Sequence, residues 1–294
     1  MPYVRLLATL LPLVALAAFV LACSGGEDTP AAPDPTETPT LTPVPTWTMV
    51  PSTPTATPPA TATPLPSLSA GDAIIAGGVV YTRTEPSTQS AQVGSISDLT
   101  RVQIANRVQG ENWLLGQQTW LSGTPAWAAE WFQLEDGSYI YGPFVFILKD
   151  GEASPLAPVP EGVEKWIDVD ISEQTARAMV GEEAVFTAPI SSGESRFPTP
   201  MGSHAIEPDG RIAVVRMTAS QAGYDPGQAT YDVERVLFTQ YFDQNGNALH
   251  LNYWRPHEVF GNTATSHGCV GMELHEAQYF WLFGEPGMRV EIHE

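Results

Sequence analysis

One short segment near the C-terminal end of the 294-residue chain combines residue types that can perform nucleophilic catalysis. Cys269 is one of only two cysteines, and the other, Cys23, ends an apolar N-terminal segment. Cys269 therefore has no disulfide partner in the body of the protein. His267 and Gly268 precede it, and the pattern 273–283 predicts a helix after it. A thiol in a tight turn before a helix is typical of a reactive cysteine, and a buried cysteine that packs as a small hydrophobe is the ordinary alternative.

A histidine upstream of the cysteine could supply the base that such a thiol requires. A cysteine with a pKa of about 8.5 is mostly protonated at neutral pH, so it needs a base or a favourable field. His250 lies in a segment (247–254) whose polar and apolar residues favour a strand. The intervening residues 251–265 are rich in loop formers. A strand followed by such a loop can bring the imidazole to the sulfur.

These residues resemble the signature of a known enzyme family. A histidine, a loop of this length and then Ser266-His267-Gly268-Cys269 are similar to the catalytic motif of the L,D-transpeptidase (YkuD-like) family. The resemblance implies that Cys269 is the nucleophile and that His250 is the general base and acid, oriented by a neighbouring backbone carbonyl. It also implies that the Gly268 and Cys269 N–H groups belong to the oxyanion hole, and that His267 supports the loop.

The resemblance further implies a set of substrate-binding residues, one of which departs from the family pattern. The set is Ser266, Tyr253, Trp254, His257 and Gly271. The family usually has Arg or Asn at the position of Gly271, where a side chain would help to hold the loop or the substrate. The histidine is followed by Leu251-Asn252, where Gly-Thr is frequent. The glycine leaves the predicted fold unchanged and bears on activity and substrate preference.

The histidines around the cysteine do not have the spacing of a metal site. His250, His257, His267 and Cys269 have the ligand types of zinc, but their spacing matches no compact pattern. We therefore expect no metal, and the resemblance implies no organic cofactor. His257 is an alternative base, although a place in the cleft is favoured. The remaining histidines are interpreted as surface or structural residues: His204, His275 and His293.

The N-terminal part of the chain predicts export and tethering. Residues 1–22 carry Arg5 and then an apolar run that is short for a membrane span, which is typical of a signal peptide. Val20-Leu21-Ala22-Cys23 resembles a lipobox, so we expect lipidation of Cys23; an uncleaved anchor is the alternative. Residues 23–69 form a Pro- and Thr-rich linker that buries too little apolar surface to fold. We expect an exported lipoprotein, anchored in the membrane at the cell envelope.

Residues 70–148 have the pattern of a small β-barrel. Short β-branched and aromatic runs alternate with Gly, Pro and Ser signals. The turn Arg83-Thr84-Glu85-Pro86-Ser87 and the predicted strand Gly110-Glu111-Asn112-Trp113 resemble a bacterial SH3-type domain. Four tryptophans could form a stacking face for sugars or peptides, but filling the core is favoured for each one singly: Trp113, Trp120, Trp127 and Trp131.

A linker at 149–162 precedes the predicted catalytic domain, 163–294. Alternating or apolar runs predict strands, and spacing at i, i+3, i+4 and i+7 predicts one amphipathic helix, stopped by Gly284. The strands are Lys165–Ile171, Thr175–Val180, Ala184–Ile190 and Met288–Ile292, and the helix is Glu273–Phe283. Thr199-Pro200-Met201-Gly202 matches a turn element of the family. The whole chain is thus predicted to be mainly β: a small SH3-type barrel followed by an L,D-transpeptidase-like β-sandwich with one or two short helices.

Charge and motif order narrow the function. The formal net charge of −20, from 33 acidic and 13 basic residues, argues against nucleic-acid binding. An NlpC/P60-type endopeptidase has its cysteine before its histidine, and a sortase expects Thr-Leu-x-Thr-Cys and a longer gap. By resemblance, the partner is a peptidoglycan stem peptide, and Cys269 attacks the amide between its third and fourth residues. An amine then resolves the acyl-enzyme into a cross-link. The alternatives are an L,D-carboxypeptidase that uses water, and a non-catalytic wall-binding lipoprotein.

Overall fold

The structure is a computed structural model that describes residues 68–116, 124–221, 225, 227 and 231–294. The predicted signal peptide, the predicted lipidation site Cys23, nearly all of the predicted linker and Trp120 lie outside the described residues. Within the described ranges, no helix has the length and apolar character needed to cross a membrane. All described residues belong to one compact unit, Thr61–Glu294.

The described residues form seventeen strands and one α-helix. The first eight strands are β1 (Ala73–Ile75), β2 (Val80–Arg83), β3 (Gln92–Ile96), β4 (Arg101–Val102), β5 (Ile104–Gln109), β6 (Glu130–Leu134), β7 (Tyr139–Tyr141) and β8 (Val145–Ile147). The others are β9 (Lys165–Asp170), β10 (Thr175–Val180), β11 (Glu183–Pro189), β12 (Gly202–Ala205), β13 (Arg211–Thr218), β14 (Asp232–Tyr241), β15 (Ala248–Leu251), β16 (Val270–Met272) and β17 (Arg289–His293), and α1 (Leu274–Phe283) lies between the last two. Three single 3₁₀ turns occur at Ala126–Ala129, Gly142–Phe144 and His257–Val259. The mainly β prediction is confirmed.

Strands β1–β8 form two small antiparallel sheets, with the orders β4-β1-β8 and β3-β2-β7-β6-β5. The segment predicted as a strand at Gly110–Trp113 is instead a loop that follows β5. A Cβ on Gly110 would overlap the Pro86 carbonyl and lie 2.7 Å from Trp131, so glycine is required where the loop crosses the sheet. The Trp131 indole donates a hydrogen bond to the Glu111 carbonyl at 2.9 Å. The SH3-type identity and the domain boundaries stay predictions.

The described tryptophans of this region pack inward. Trp131 is 1% exposed. Trp113 is half-buried and lies edge-on to Tyr141, at 5.6 Å between ring centroids. Trp127 is also half-buried and packs against the core. These positions agree with the core interpretation rather than with a sugar-stacking face.

The second half of the chain contains two larger sheets. Their orders are β11-β10-β9-β17-β12 and β13-β14-β15-β16. The predicted strand Thr175–Val180 is confirmed residue for residue, and the predicted closing strand is shifted by one residue to Arg289–His293. Two bridges, Ser191 to Gly271 and Gly193 to Ser266, connect the segment after β11 to the cysteine region. The two sheets therefore meet where the predicted catalytic motif lies.

Helix α1 is confirmed, but it is buried on all sides rather than amphipathic. Every residue from Ala277 to Phe283 is buried. One flank packs on the second half of the chain, where Phe186 and Tyr279 stack at 3.7 Å between centroids. Another flank meets the first half of the chain, because the Gln278 amide donates to the Pro143 and Val145 carbonyls at 2.7 and 3.1 Å. A helix enclosed between two β-structures needs apolar residues around its whole circumference.

Gly284 ends the helix by a different mechanism from the one predicted. Its φ is −72°, so it is not the left-handed cap that glycine usually provides. A Cβ there would lie 2.9 Å from the Phe280 carbonyl and would overlap the Gln240 side chain. Close approach of neighbouring groups, rather than backbone handedness, explains the glycine.

Candidate active site

The candidate site is built on the parallel pair of strands β15 and β16. Their register pairs Leu249 with Val270, His250 with Gly271 and Leu251 with Met272. Because side chains alternate between the faces of a strand, this register separates two sets of residues. The core face carries Leu249, Leu251, Val270 and Met272, each 1% exposed or less. The opposite side, here called the polar face, carries Ala248, His250, Asn252, Cys269 and Gly271.

His250 and Cys269 therefore lie on the same face, on neighbouring strands. Cys269 immediately precedes β16, two residues before Gly271, the partner of His250. Its position in the ladder is diagonal to the histidine, a relation that allows side chains of adjacent strands to approach each other. The parallel register thus places on one face the two groups that the sequence motif selects.

The His250 ring is buried and has a fixed tautomer. The residue is 4% exposed, and its Nδ1 lies 2.8 Å from the carbonyl oxygen of Leu251. A carbonyl only accepts hydrogen bonds, so Nδ1 carries the proton and Nε2 keeps a free lone pair. The Trp254 ring stacks on the imidazole, at 5.6 Å between centroids and 19° between planes. Burial lowers the pKa of His250 to about 4, and the bond to Leu251 opposes this shift only in part.

Cys269 is a free thiol that is partly exposed as a residue, although its sulfur is buried. The thiol donates a weak hydrogen bond to the Gly246 carbonyl, at 3.8 Å. Burial raises the pKa of Cys269 to about 11 against a lowering effect of a backbone hydrogen bond at Ala248, and the negative charge of Asp243 raises it further. The free site at neutral pH therefore holds a thiol and a neutral imidazole, not a thiolate and an imidazolium.

The helix begins too far along the chain for its N-terminus to favour the thiolate, although the sequence placed the cysteine in a turn before a predicted helix. Strand β16 follows Cys269 directly, and α1 begins only at Leu274. The field of a helix N-terminus falls off within its first turn. The raised pKa of the thiol agrees with the absence of this stabilisation.

Ser266 holds the cysteine loop in shape. Its hydroxyl donates to the Cys269 carbonyl at 2.6 Å and accepts from the Gly268 N–H at 3.1 Å. Gly268 has a φ of +112°, and a Cβ there would overlap the Asn247 side chain. The hydroxyl predicted to bind substrate is thus used within the loop. The Gly268 N–H, predicted to be an oxyanion donor, points at Ser266 in the free protein.

The segment Ser191–Glu194 is a support of the site that sequence reasoning missed. The Ser192 carbonyl accepts from the N–H groups of Thr265 and Ser266, both at 3.0 Å. A Cβ on Gly193 would lie 2.9 Å from the Gly268 Cα. The Gly193 N–H donates to the Thr199 hydroxyl at 2.8 Å, so the Thr-Pro-x-Gly turn braces the same segment. The run of small residues after β11 was the available sequence signal.

His267 lies between two aromatic rings. Its centroid is 4.5 Å from that of Phe197 and 4.9 Å from that of Tyr231. Burial lowers the pKa of His267, Arg255 and Arg196 act in the same direction, and Glu194 opposes them. This packing suits the predicted support of the loop.

Two of the predicted substrate-binding residues are placed elsewhere. Tyr253 is 2% exposed, and its hydroxyl donates to the Glu234 carbonyl at 2.7 Å, so it is a core residue. His257 lies on an exposed 3₁₀ turn, where its Nδ1 is 2.7 Å from a Glu273 carboxylate oxygen. That hydrogen bond raises the pKa of His257. Trp254 is partly exposed next to His250, and Gly271 is buried under a neighbouring side chain.

Acidic, histidine and cysteine side chains do not converge on a metal site within the described ranges. No group of three or more of them there could hold an ion. The predicted structural histidines are engaged in local contacts: His204 with the Pro200 carbonyl, His275 with Glu152 and His293 with Asp168.

Comparison with known proteins adds a family match. Residues 164–292 match the profile of the L,D-transpeptidase catalytic domain, YkuD. Among solved structures, an L,D-transpeptidase from Mycobacterium smegmatis is 18% identical, with 66% of this chain and 93% of that chain covered and a TM-score of 0.41. L,D-transpeptidase 3 from Mycobacterium tuberculosis is 19% identical, with 53% and 74% covered and a TM-score of 0.40. A search of curated protein sequences gave no match.

Proposed function

We propose that the protein is a peptidoglycan L,D-transpeptidase that forms an acyl-enzyme on Cys269, because residues 164–292 match the L,D-transpeptidase catalytic domain, YkuD. The substrate is a stem peptide of the cell wall, and the acceptor is an amine of a second stem peptide. The reaction cross-links or remodels the wall.

The observation that carries this proposal is the placement of Cys269 and His250 on one polar face, with the histidine tautomer fixed. The Leu251 carbonyl holds Nδ1–H at 2.8 Å, so Nε2 is the ring atom available to a proton donor. Burial of the imidazole prevents its competing protonation at neutral pH, because its pKa lies near 4. A structural cysteine would not need a neighbouring base held in one tautomer.

The neutral pair determines how the first step proceeds. The sulfur attacks the amide carbonyl carbon while its proton passes to Nε2 of His250, so no thiolate forms in advance. The C–N bond then breaks, and the imidazolium gives its proton to the departing amine of the D-amino acid. A thioester remains on Cys269, and His250 is neutral again.

The second step reverses these roles. The acceptor amine attacks the thioester carbon and loses a proton to Nε2 of His250. The C–S bond breaks, the sulfur recovers a proton from the imidazolium, and a new amide joins the two stems. With water in place of the amine the product is a free carboxylate, which is the carboxypeptidase alternative.

The test of the nucleophile is intact-mass analysis of the full chain after incubation with a carbapenem. Wild type should gain one adduct, and Cys269→Ala should gain none. Cys23→Ser is the matched control, because it removes the other cysteine and should keep the adduct. An adduct that persists in Cys269→Ala would refute the assignment.

We also propose that Cys23 is lipidated and that the protein is anchored at the outer side of the membrane. The support is the lipobox-like sequence Val20–Cys23 after an apolar segment. Metabolic labelling with a tagged fatty acid in a bacterial host tests it. Wild type should carry the label, and Cys23→Ser should not; equal labelling of both would contradict the anchor.

A further inference from the structure

The polar face continues beyond His250 to Asn252. The backbone N–H of Asn252 donates a hydrogen bond to the Met272 carbonyl at 2.8 Å, so the strand pairing extends one residue past the end of β15. Asn252 is two residues after His250 and therefore lies on the same face. The side chain is nearly enclosed, since the residue is only 3% exposed.

The Asn252 carboxamide occupies the space that a side chain at position 271 would fill. A Cβ built on Gly271 would lie 2.7 Å from Asn252 Nδ2 and 2.9 Å from Asn252 Cβ. The Gly271 backbone has no freedom to retreat, because its N–H and C=O both bond to Ser191, at 3.0 and 2.9 Å. Asn252 can therefore occupy this position only because residue 271 is a glycine.

The carboxamide is not used to brace the fold. Its Oδ1 is buried without a hydrogen-bond partner among the described residues. The other amides near the site are engaged: Asn247 Nδ2 donates to Asp243 at 2.7 Å, and Gln278 donates to two carbonyls. A buried polar group that lacks a partner destabilises the folded state, so a hydrogen bond from a bound molecule to this oxygen would be favourable.

We propose that Asn252 is a substrate-binding residue whose carboxamide hydrogen-bonds a main-chain amide of the peptide held at Cys269. The inference rests on the proposed function and deepens it. Gly271 lies two residues from Cys269 along the strand, roughly 6.6 Å. A peptide acyl group on the sulfur spans that distance within two residues, and its main-chain N–H and C=O groups match both ends of a carboxamide.

The first test measures binding rather than turnover. Full-length Cys269→Ala binds a stem tetrapeptide without consuming it, and Asn252→Leu is added to this background. We expect about tenfold weaker binding by calorimetry, the loss of one hydrogen bond or ~1.4 kcal/mol. Leucine has nearly the shape of asparagine and no unpaired polar atom, so the melting temperature should stay the same or rise.

The control is Asn106→Leu, which removes an exposed carboxamide that pairs with Gln133 at 2.8 Å on the first half of the chain. It should leave the tetrapeptide Kd unchanged. An unchanged Kd in Asn252→Leu would overturn the inference. So would a fall in melting temperature with normal binding, because that combination describes a structural asparagine.

The second test moves the carboxamide across the strand pair. Gly271→Asn alone should abolish measurable binding, because the new Cβ overlaps Asn252. Gly271→Asn combined with Asn252→Gly restores a single carboxamide in the same space. Its tetrapeptide Kd should return to within about tenfold of that of the Cys269→Ala parent. Such recovery is a coupling between positions 252 and 271 that independent sites would not show. A double variant no better than Gly271→Asn would contradict the shared space.

The two proposals fail in different ways. Binding by Cys269→Ala together with no turnover by wild type would defeat the transpeptidase assignment and leave the Asn252 contact standing. Turnover by wild type, together with a tetrapeptide Kd that Asn252→Leu leaves unchanged, would refute only the proposed Asn252 contact. Absence of tetrapeptide binding would overturn the contact itself.

Discussion

The two faces of the β15–β16 pair differ in chemistry although the same two short segments, residues 248–252 and 269–272, form both. The core face carries four aliphatic or thioether side chains that are sealed from water. The polar face carries a neutral imidazole, a protonated thiol, a carboxamide whose oxygen has no partner among the described residues, and a glycine. Adjacent residues of these strands therefore alternate between packing in the core and lining the candidate active site.

This difference shows how a β-structure can hold a set of buried polar groups in place. The core face fixes the backbone register by burial, and a one-residue slip would exchange the two faces. The polar face then holds groups that contribute little to stability, such as the buried Asn252 Oδ1. Substitutions on the two faces should therefore separate activity from stability.

The largest expected effect is on the polar face, from His250→Gln. Glutamine retains polarity but cannot take the thiol proton, so acylation of Cys269 should slow by about 10²–10⁴-fold. Stopped-flow or quenched mass measurements of adduct formation give the rate. His257→Gln, at an exposed turn, is the control and should react like wild type. Slowing by His257→Gln with no effect of His250→Gln would exchange their roles.

The second effect concerns the ionisation of the thiol. Alkylation by iodoacetamide needs the thiolate, and burial raises the pKa of Cys269 to about 11. The alkylation rate at Cys269 should therefore rise about tenfold per pH unit from pH 6 to 9, which is about 10³-fold over the range. The Cys23→Ser variant isolates the signal. A rate that is already maximal and flat across this range would show a preformed thiolate and contradict the neutral pair.

On the core face, Leu251→Ala should affect stability instead of chemistry. The side chain is fully buried, and such truncations cost about 2–5 kcal/mol of unfolding free energy. Denaturant titration measures the loss. Acylation per folded molecule should remain close to that of wild type. A variant that is stable but slow to acylate would show that the two faces are not separable.

The smallest effect is the acid sensitivity that His250 gives to the fold. Its pKa falls from 6.5 to about 4 on burial, so above pH 6.5 it is neutral in both states and contributes nothing. Between pH 6.5 and 4 the unfolded chain takes up the proton first, and stability decreases by about 3 kcal/mol in total.

The stability of His250→Gln should therefore decline less steeply than that of wild type over this range. The unfolding free energies of the two proteins, measured at several pH values, give the difference. Parallel curves would place the histidine in contact with water when folded.

Local patterns predicted the parts of this structure that depend on local sequence. Alternation over Lys165–Ile171 predicted β9 to within one residue, and the spacing of His250 and Cys269 selected a pair that the parallel register places on one face. The thiol pKa could not be foreseen, because it depends on burial and on Asp243 across a turn. The complete burial of α1 was missed for a similar reason, since its second covering layer comes from residues 143–145.

The glycine at 271 shows the same limit within the site. In sequence it is a missing side chain, whereas in the structure Asn252 from the neighbouring strand fills its place. The burial of Tyr253 likewise depends on a partner, Glu234, on another strand. The roles of Gly271 and Tyr253 depend on which strands pair with each other, and the residue pattern along one strand does not show that pairing.

The central claim is that Cys269 transfers a stem-peptide acyl group, and mass analysis of wall fragments tests it most directly. Disaccharide-tetrapeptide fragments are incubated with the purified full chain and with Cys269→Ala. The account predicts a cross-linked dimer that has lost one terminal D-amino acid per new bond, formed by wild type only. Unchanged fragments with a folded wild type, or the same dimer with Cys269→Ala, would contradict it.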